Sequence, residues 1–477
     1  MLSKPQSLKF QPTFFHASMT VFSVALIIGL GIFFHYTLHS LLFLAVNVVA
    51  ISTFFFKDVR FKDVQEAIDY GISLSLPTVY IFFLIGIFIA ACIESGSIAT
   101  LMFYVMEFFS IQWFFPSTFV LCCVMSLATG TSWGTAGTLG VALMGISEAI
   151  EFPSAITAGA IISGAFFGAF FGDKLSPLSD TTNLAASSAG TLLMKHIYTM
   201  LLTSVPSFFI ALFMYYIVGV NTVTSELYQY NLVEYQGLLL LHFNINILML
   251  LPFFCIIYLS IKRYSPVFSL AIASLCALAL AVFFQEIPMQ TAVNALFSGG
   301  SVDFSDTIFE KTFSAGGIVS VTWTLTLALL SLALGSLLCY FNFLKVFMEY
   351  LFSRIKSNTL LIFSTILFCF FSNLLIAEVY LTLILGGQLF QNRYDDALLD
   401  RSVLSRSLEE GGTLTGVLIP WTTAGLFMSS VLHVRVLDFL PYAFFNLVNP
   451  IVSIILSLFG LCLVYSKAIT KDEEYKC

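Results

Sequence analysis

The chain has 477 residues, of which 58% are hydrophobic, 16% aromatic and only 10% charged, with a formal net charge of −7. A soluble domain carries about 25% charged residues, and 20 Lys plus Arg beside 52 Phe could not cover a water-soluble core of this size. The composition excludes a soluble enzyme, and it excludes a nucleic-acid binder, which needs a basic patch that is missing here.

Apolar runs of spanning length recur in chain order at 17–34, 41–56, 72–93, 197–220, 243–260, 266–284, 314–341, 358–376 and 439–465. Each is close to the roughly 20 residues that a membrane helix needs. The runs are continuous rather than alternating, which sets a β-barrel aside. The fold class that follows is an all-α polytopic membrane protein embedded in the lipid bilayer. Lys4 and Lys9, Lys57, Arg60 and Lys62, Lys262 and Arg263, Lys345, Arg354 and Lys356, and Lys467, Lys471 and Lys476 cluster between spans. Loop 221–238 has no Lys or Arg, and 285–310 is acidic. Positive loops mark the cytoplasmic side, so both termini are expected inside. The nine cysteines lack metal-ligand spacing and read as small buried hydrophobes.

Two polar interruptions fall at membrane depth. Residues 126–140 carry four glycines and six hydroxyl side chains, among them Thr129, Thr131 and Ser132. Glycine lets the backbone leave helical geometry, and non-helical backbone in lipid must line protein or a wet cavity. An unwound helix at a cation site is one reading, and a close helix crossing through small residues is the other. Residues 172–185 follow a Gly/Ala-rich run and hold Asp173, Lys174, Pro177, Asp180, Thr181, Thr182 and Asn183. An intramembrane carboxylate is costly unless it faces a partner or a polar cavity, and shielding from water favours its protonated form. Asp180 is the principal candidate for holding either H⁺ or Na⁺, with Thr181, Thr182 and Asn183 as neutral ligands. The alternative for Asp180 is a helix N-cap. Asp173 stands between an ion ligand and a local pair with Lys174.

Further on, Glu94 ends a span and is either interfacial or on an ion path, and Glu107 reads as interfacial. Glu378 interrupts an apolar run, which favours function. Glu409 and Glu410 open the second interrupted element as a helix-start cap or a gating pair. Pro420 breaks that element, and Thr422 and Thr423 are candidate neutral ligands. No Arg is expected at membrane depth.

These features recur at an offset of about 244 residues. Gly71-Ile-Ser pairs with Gly317-Ile-Val-Ser, Ser126-Leu with Ser372-Asn-Leu, and Pro177–Leu184 with Pro420–Leu426. The first copy is approached by basic residues and the second by acidic ones, as in duplicated halves of inverted topology; chance similarity in a biased composition is the alternative. The expected division is 1–63 as N-terminal helices, 64–220 as the first transport repeat, 221–308 as connecting helices, and 309–477 as the second inverted repeat with a C-terminal helix.

The stretches Ala128–Thr138, Gly172–Ala185, Leu408–Thr413, Ile419–Thr423 and Leu440–Pro450 together resemble the NhaC family of Na⁺/H⁺ antiporters, in family order over roughly residues 60–465. The resemblance implies cation/proton antiport in a prokaryotic cytoplasmic (inner) membrane, with inverted repeats, broken helices and re-entrant hairpins. It also implies a second possibility, since some members exchange malate for sodium-coupled lactate and relatives carry amino acids. Gly411-Gly412 and Thr422-Thr423-Ala424 depart from patterns common in the family. The expected mechanism is competition of Na⁺ and H⁺ for Asp180, with backbone oxygens around Thr129–Ser132 completing the Na⁺ shell. No prosthetic group is expected, Na⁺ and H⁺ being transported ions. A homodimer is compatible with the sequence.

Overall fold

The computed structural model describes residues 10–56, 59–74, 76–108, 113–129, 132–149, 151–168, 180–222, 227–262, 264–300, 313–352 and 357–466. Helix dominates them, and no strand longer than an isolated bridge, Leu399 to Tyr465, occurs among these residues. Five helices are long and apolar enough to cross a membrane, or up to eight if each bent pair counts as one span. The protein is therefore a multi-pass membrane protein.

The helices, in order, are α1 (Phe14–Phe33), α2 (Leu38–Thr53), α3 (Phe61–Leu74), α4 (Leu76–Glu94), α5 (Ser97–Phe108) and α6 (Phe114–Thr129). After the first interruption come α7 (Ser132–Thr135), a π-helical turn (Ala136–Gly140) and α8 (Val141–Ala149). Then follow α9 (Ser154–Gly168), α10 (Asp180–Ala189), α11 (Leu193–Thr222), α12 (Leu227–His242), α13 (Leu251–Ile261), α14 (Pro266–Phe284) and α15 (Met289–Ser298). The second half holds α16 (Gly317–Tyr340), α17 (Phe343–Phe352), α18 (Asn358–Ile376), α19 (Val379–Asp396), α20 (Arg401–Gly411), α21 (Thr413–Gly416), α22 (Thr423–Leu432), α23 (Val436–Phe439) and α24 (Phe444–Leu458).

The run expected to span at 243–260 is instead bent by 91° between α12 and the helix that starts at Ile247. Asn246 makes the bend, its side chain accepting from Leu248 N at 3.1 Å to cap the new turn. Averaged hydropathy could not see this cap, because Asn244 and Asn246 alternate with Phe243, Ile245 and Ile247.

Polarity is distributed as a bilayer requires. Phe15 and Phe33 are each 74% exposed and Phe283 78%, while Ser126, Thr135, Ser147, Thr182, Thr203, Asn373 and Asn449 are buried. Lipid tails solvate the aromatic exterior, and the buried hydroxyls and amides are left to join helices to one another.

Duplication extends to single contacts. A Cβ added to Gly164 of α9 would lie 2.4 Å from Phe119 O and 2.6 Å from Cys122 Cβ of α6. One added to Gly411 of α20 would lie 2.6 Å from Ile366 O and 2.9 Å from Cys369 Cβ of α18. Beside these glycines, Ser126 Oγ donates to Ala165 O at 2.8 Å in the first half, and Asn373 Nδ2 donates to Gly412 O at 2.7 Å in the second. All three contacts repeat at close to the offset read from the sequence, so α6 with α9 and α18 with α20 are one packing unit used twice.

The helix that follows each interruption is exchanged between halves. Helix α10 packs on α19 and α20 of the second half, and α22 packs on α16 of its own half and also on the π-helical turn and α8 of the first. Both docking sites are glycines at equivalent positions: Gly387 meets Ser188 O of α10 and Gly140 meets Leu432 of α22. Without a side chain there, the incoming helix approaches the backbone closely.

Candidate functional site

The second interruption is the better described. Helix α18 ends at Ala377, which is left-handed at φ 60. A β-carbon makes that conformation costly by roughly 1 kcal/mol, and here Thr423 N–H donates to Ala377 O at 3.1 Å and fixes it. Glu378 follows, 1% exposed. Its Oε2 accepts from Thr423 Oγ1 at 2.9 Å and its Oε1 from Tyr380 N at 3.4 Å. Among the described residues no cation pairs with this carboxyl group. A hydroxyl from the start of α22 and an amide from the start of α19 therefore hold an acid between two helix N-termini, where dipoles favour negative charge.

Thr422, proposed from sequence as a neutral ligand, caps α22: its Oγ1 accepts from Gly425 N at 3.0 Å and donates to Gly416 O at 2.6 Å. Trp421 Nε1 donates to Leu374 O at 2.8 Å, and Ser331 Oγ donates to Trp421 O at 2.9 Å, tying the turn to α18 and α16. Asn373, unrecognised in the sequence reading, joins α18 to Gly412. The match of Ser126-Leu with Ser372-Asn-Leu already marked its place.

Asp180 is the first residue of α10. Gly190, just past the other end of that helix, sits beside Arg401 and Gln391, and Gln391 Nε2 donates to Ser188 O at 2.6 Å. The last turn of α10 thus packs beside Gly387 and Gln391 of α19. The side chain of Asp180 lies outside the described residues, as do Asp173, Lys174 and Thr131 entirely and the side chain of Thr129. Thr182 is buried, Thr181 partly so, and Asn183 is exposed. Ser132 is buried at the start of α7. Beside it, Trp133 stacks on Phe427 of α22 with ring centroids 4.2 Å apart, so the first interruption also touches the exchanged helix.

Glu94 is buried at the 71° bend between α4 and α5, where Ser95, Ser97 and Gln285 form a polar turn. It is nine residues beyond Ile85, where α4 meets Gly137 of the first interruption, or about 13 Å along the helix. Glu107 is exposed.

Glu409 and Glu410 end α20 rather than starting a helix, so the helix-start cap does not hold. Both are fully buried. Glu410 Oε1 accepts from Thr203 Oγ1 of α11 at 2.6 Å and lies 3.6 Å from Arg406 Nε. Arg406 is itself 0% exposed and donates from Nη1 to Cys462 O at 2.8 Å. Arg406 is thus enclosed within the protein, beside the turn that follows α24. In Arg401-Ser-Val-Leu-Ser-Arg406-Ser-Leu-Glu-Glu the charges read as a surface loop, and only enclosure by α11, α18 and α24 makes the segment interior. Asn449 Nδ2, 3.2 Å from both Ser204 Oγ and Ser207 Oγ, extends the same polar seam.

The profile of the Na⁺/H⁺ antiporter family matches residues 168–461, which takes in the exchanged helices, Glu378 and the Arg406 seam. The chain is 33% identical over 407 residues to the Na⁺/H⁺ antiporter NhaC of Alkalihalophilus pseudofirmus, covering 84% of this chain and 86% of that one. It is 34% identical over 415 residues to the malate-2H⁺/Na⁺-lactate antiporter of Bacillus subtilis, covering 87% and 88%. It is 32% identical over 397 residues to the arginine/ornithine antiporter ArcD of Halobacterium salinarum, covering 83% and 81%. The interrupted helices and the extent of these matches agree: the chain belongs to the NhaC-type Na⁺/H⁺ antiporter family.

Proposed function

We propose that the protein exchanges Na⁺ for H⁺ across a prokaryotic cytoplasmic membrane, with Asp180 holding one ion or the other. The observation that carries this is the reciprocal exchange of α10 and α22. It packs the Asp180 helix on α19 and α20, the helices that carry Glu378 at the start of one and Glu409 and Glu410 at the end of the other, while Thr423 at the start of α22 hydrogen-bonds to Glu378. Na⁺ bound at Asp180 would draw neutral oxygens from Thr181, Thr182 and the backbone near Thr129–Ser132. Proton uptake by Asp180 releases it. The halves, of inverted topology with both termini cytoplasmic, would present the site to either side in turn. Asn183, being exposed, is assigned to the entrance rather than to the ion.

A second reading has its own support. Arg406 supplies a buried cation one helix turn before the interruption, and two relatives are named for organic substrates. In that reading a small organic anion or amino acid moves with Na⁺ or H⁺.

The test is the purified protein in sealed vesicles under an imposed Na⁺ gradient, with internal pH recorded with and without malate, lactate or amino acids. Na⁺-driven proton movement without organic solute, lost in Asp180→Asn, is the expected result. Movement only with an added solute transfers the conclusion to the second reading.

A further inference from the structure

A cavity of about 630 Å³ lies between α1, α17 and α18, with Trp421 in its wall. Its α1 wall runs from Phe15 through Met19, Phe22 and Ala25 to Ile32 along one side of the helix. Those residues span about 25 Å at 1.5 Å per residue, most of the roughly 30 Å thickness of a hydrocarbon core. The cavity is thus a long groove parallel to a spanning helix.

Its chemistry names the occupant. Two polar groups in the wall are already engaged: Ser18 Oγ donates to Phe14 O at 2.7 Å, and Trp421 Nε1 donates to Leu374 O. The rest of the lining is aliphatic, aromatic or sulfur-bearing. The groove is also continuous with the bilayer-facing surface, since Phe22 is 65% exposed and Phe371 43%. An apolar groove that opens on the exposed face and runs along a helix of spanning length suits a hydrocarbon chain. At its inner wall it meets Trp421, whose carbonyl and indole N–H are fastened to α16 and α18 and whose neighbour Thr422 caps α22.

We propose that this groove seats one acyl chain of a bilayer phospholipid along α1, and that the seated chain braces Trp421 and with it the turn that positions α22. Lipid is then a bound component of the second interruption, not only a solvent for the exterior.

Gly29 provides the tool. It lines the groove, and a Cβ added there meets nothing within 4 Å. Gly29→Phe fills the channel from its open side. The full chain is placed in vesicles of phosphatidylethanolamine and phosphatidylglycerol containing a diazirine-bearing acyl chain, photolysed, and mapped by mass spectrometry. Expected is labelling of Ala25, Leu375 and Trp421 about fivefold above the exposed face of α14, falling about fivefold in Gly29→Phe. Even labelling of all lipid-facing helices, labelling indifferent to Gly29→Phe, or a cross-link to a second copy of the chain at these positions overturns the lipid site.

The brace is read separately, without transport, by hydrogen exchange at the Thr423 and Gly425 amides in dilauroyl and dioleoyl vesicles. Short chains should speed exchange about fivefold in the wild type and leave Gly29→Phe unchanged. Chain-length sensitivity that persists in Gly29→Phe reflects bilayer thickness and overturns the brace, as does its absence from the wild type.

Discussion

In the first half Gly164 lies against Cys122 and Ser126 binds α6 to α9; in the second Gly411 lies against Cys369 and Asn373 binds α18 to α20. The backbone arrangement is repeated to the level of one glycine and one tie. The charges are not repeated. Helix α10 opens on Asp180 where α22 opens on Thr423, and the end of α20 carries Glu409 and Glu410 with the buried Arg406. Where Asn373 replaces a hydroxyl, it spans the same gap with an amide. Duplication preserves what packing demands, since a Cβ at either glycine collides with backbone, whereas the charged side chains of the two halves diverged.

The largest test of this contrast is at the helix starts. Asp180→Asn should reduce Na⁺-driven proton flux to background in vesicles, whereas Thr423→Val should leave flux measurable with Na⁺ affinity changed about tenfold, the value of one hydrogen bond to a carboxylate. Equal loss in both variants would mean that the two starts are functionally equivalent.

Next is the charge pair confined to the second half. Arg406→Met strands Glu410 and should cost about 3–5 kcal/mol, seen as a lowered unfolding temperature in detergent. Arg406→Met with Glu410→Met should recover most of that loss. A double variant as unstable as the single one would show that the polar seam depends on both charges.

The two docking glycines should differ. A Cβ at Gly387 lies 2.2 Å from the Ser188 carbonyl, but at Gly140 its nearest neighbours are side chains at 3.0 and 3.2 Å. Gly387→Ala should cost about 1–3 kcal/mol by overpacking, and Gly140→Ala less, by the same thermal measurement.

The smallest effect belongs to the surface pair of Asp395 and Arg401, 2.7 Å apart. The Arg401 hydrogen bond holds the Asp395 carboxyl below its ordinary range. Its contribution is therefore present above the unfolded value near 4 and is lost as pH falls through the folded value. Asp395→Asn should change stability at pH 7 by less than about 1 kcal/mol and remove that acid dependence.

Hydropathy made most spans legible, and the run of glycines and hydroxyls at 126–140 and Pro420 marked breaks between helices, while Pro177 lies outside the described residues. The internal offset was legible too, but the exchange of α10 with α22 was not, because it is carried by glycines whose partners are distant in sequence. Arg406 was missed for a related reason: a charge among serines in a short, weakly apolar helix is buried only by helices that come from elsewhere. Thr422 was read as a neutral ligand, and its capping bond to Gly425 is a role that residue type alone leaves open.

The exchange also imposes an order on synthesis. The surface at Gly140 enters the membrane about 290 residues before Leu432, its partner, is made. At roughly 5–20 residues per second, the newborn first half waits about 15–60 s with that seam uncovered. Until Leu432 arrives, the Gly140 surface is covered by something other than its final partner.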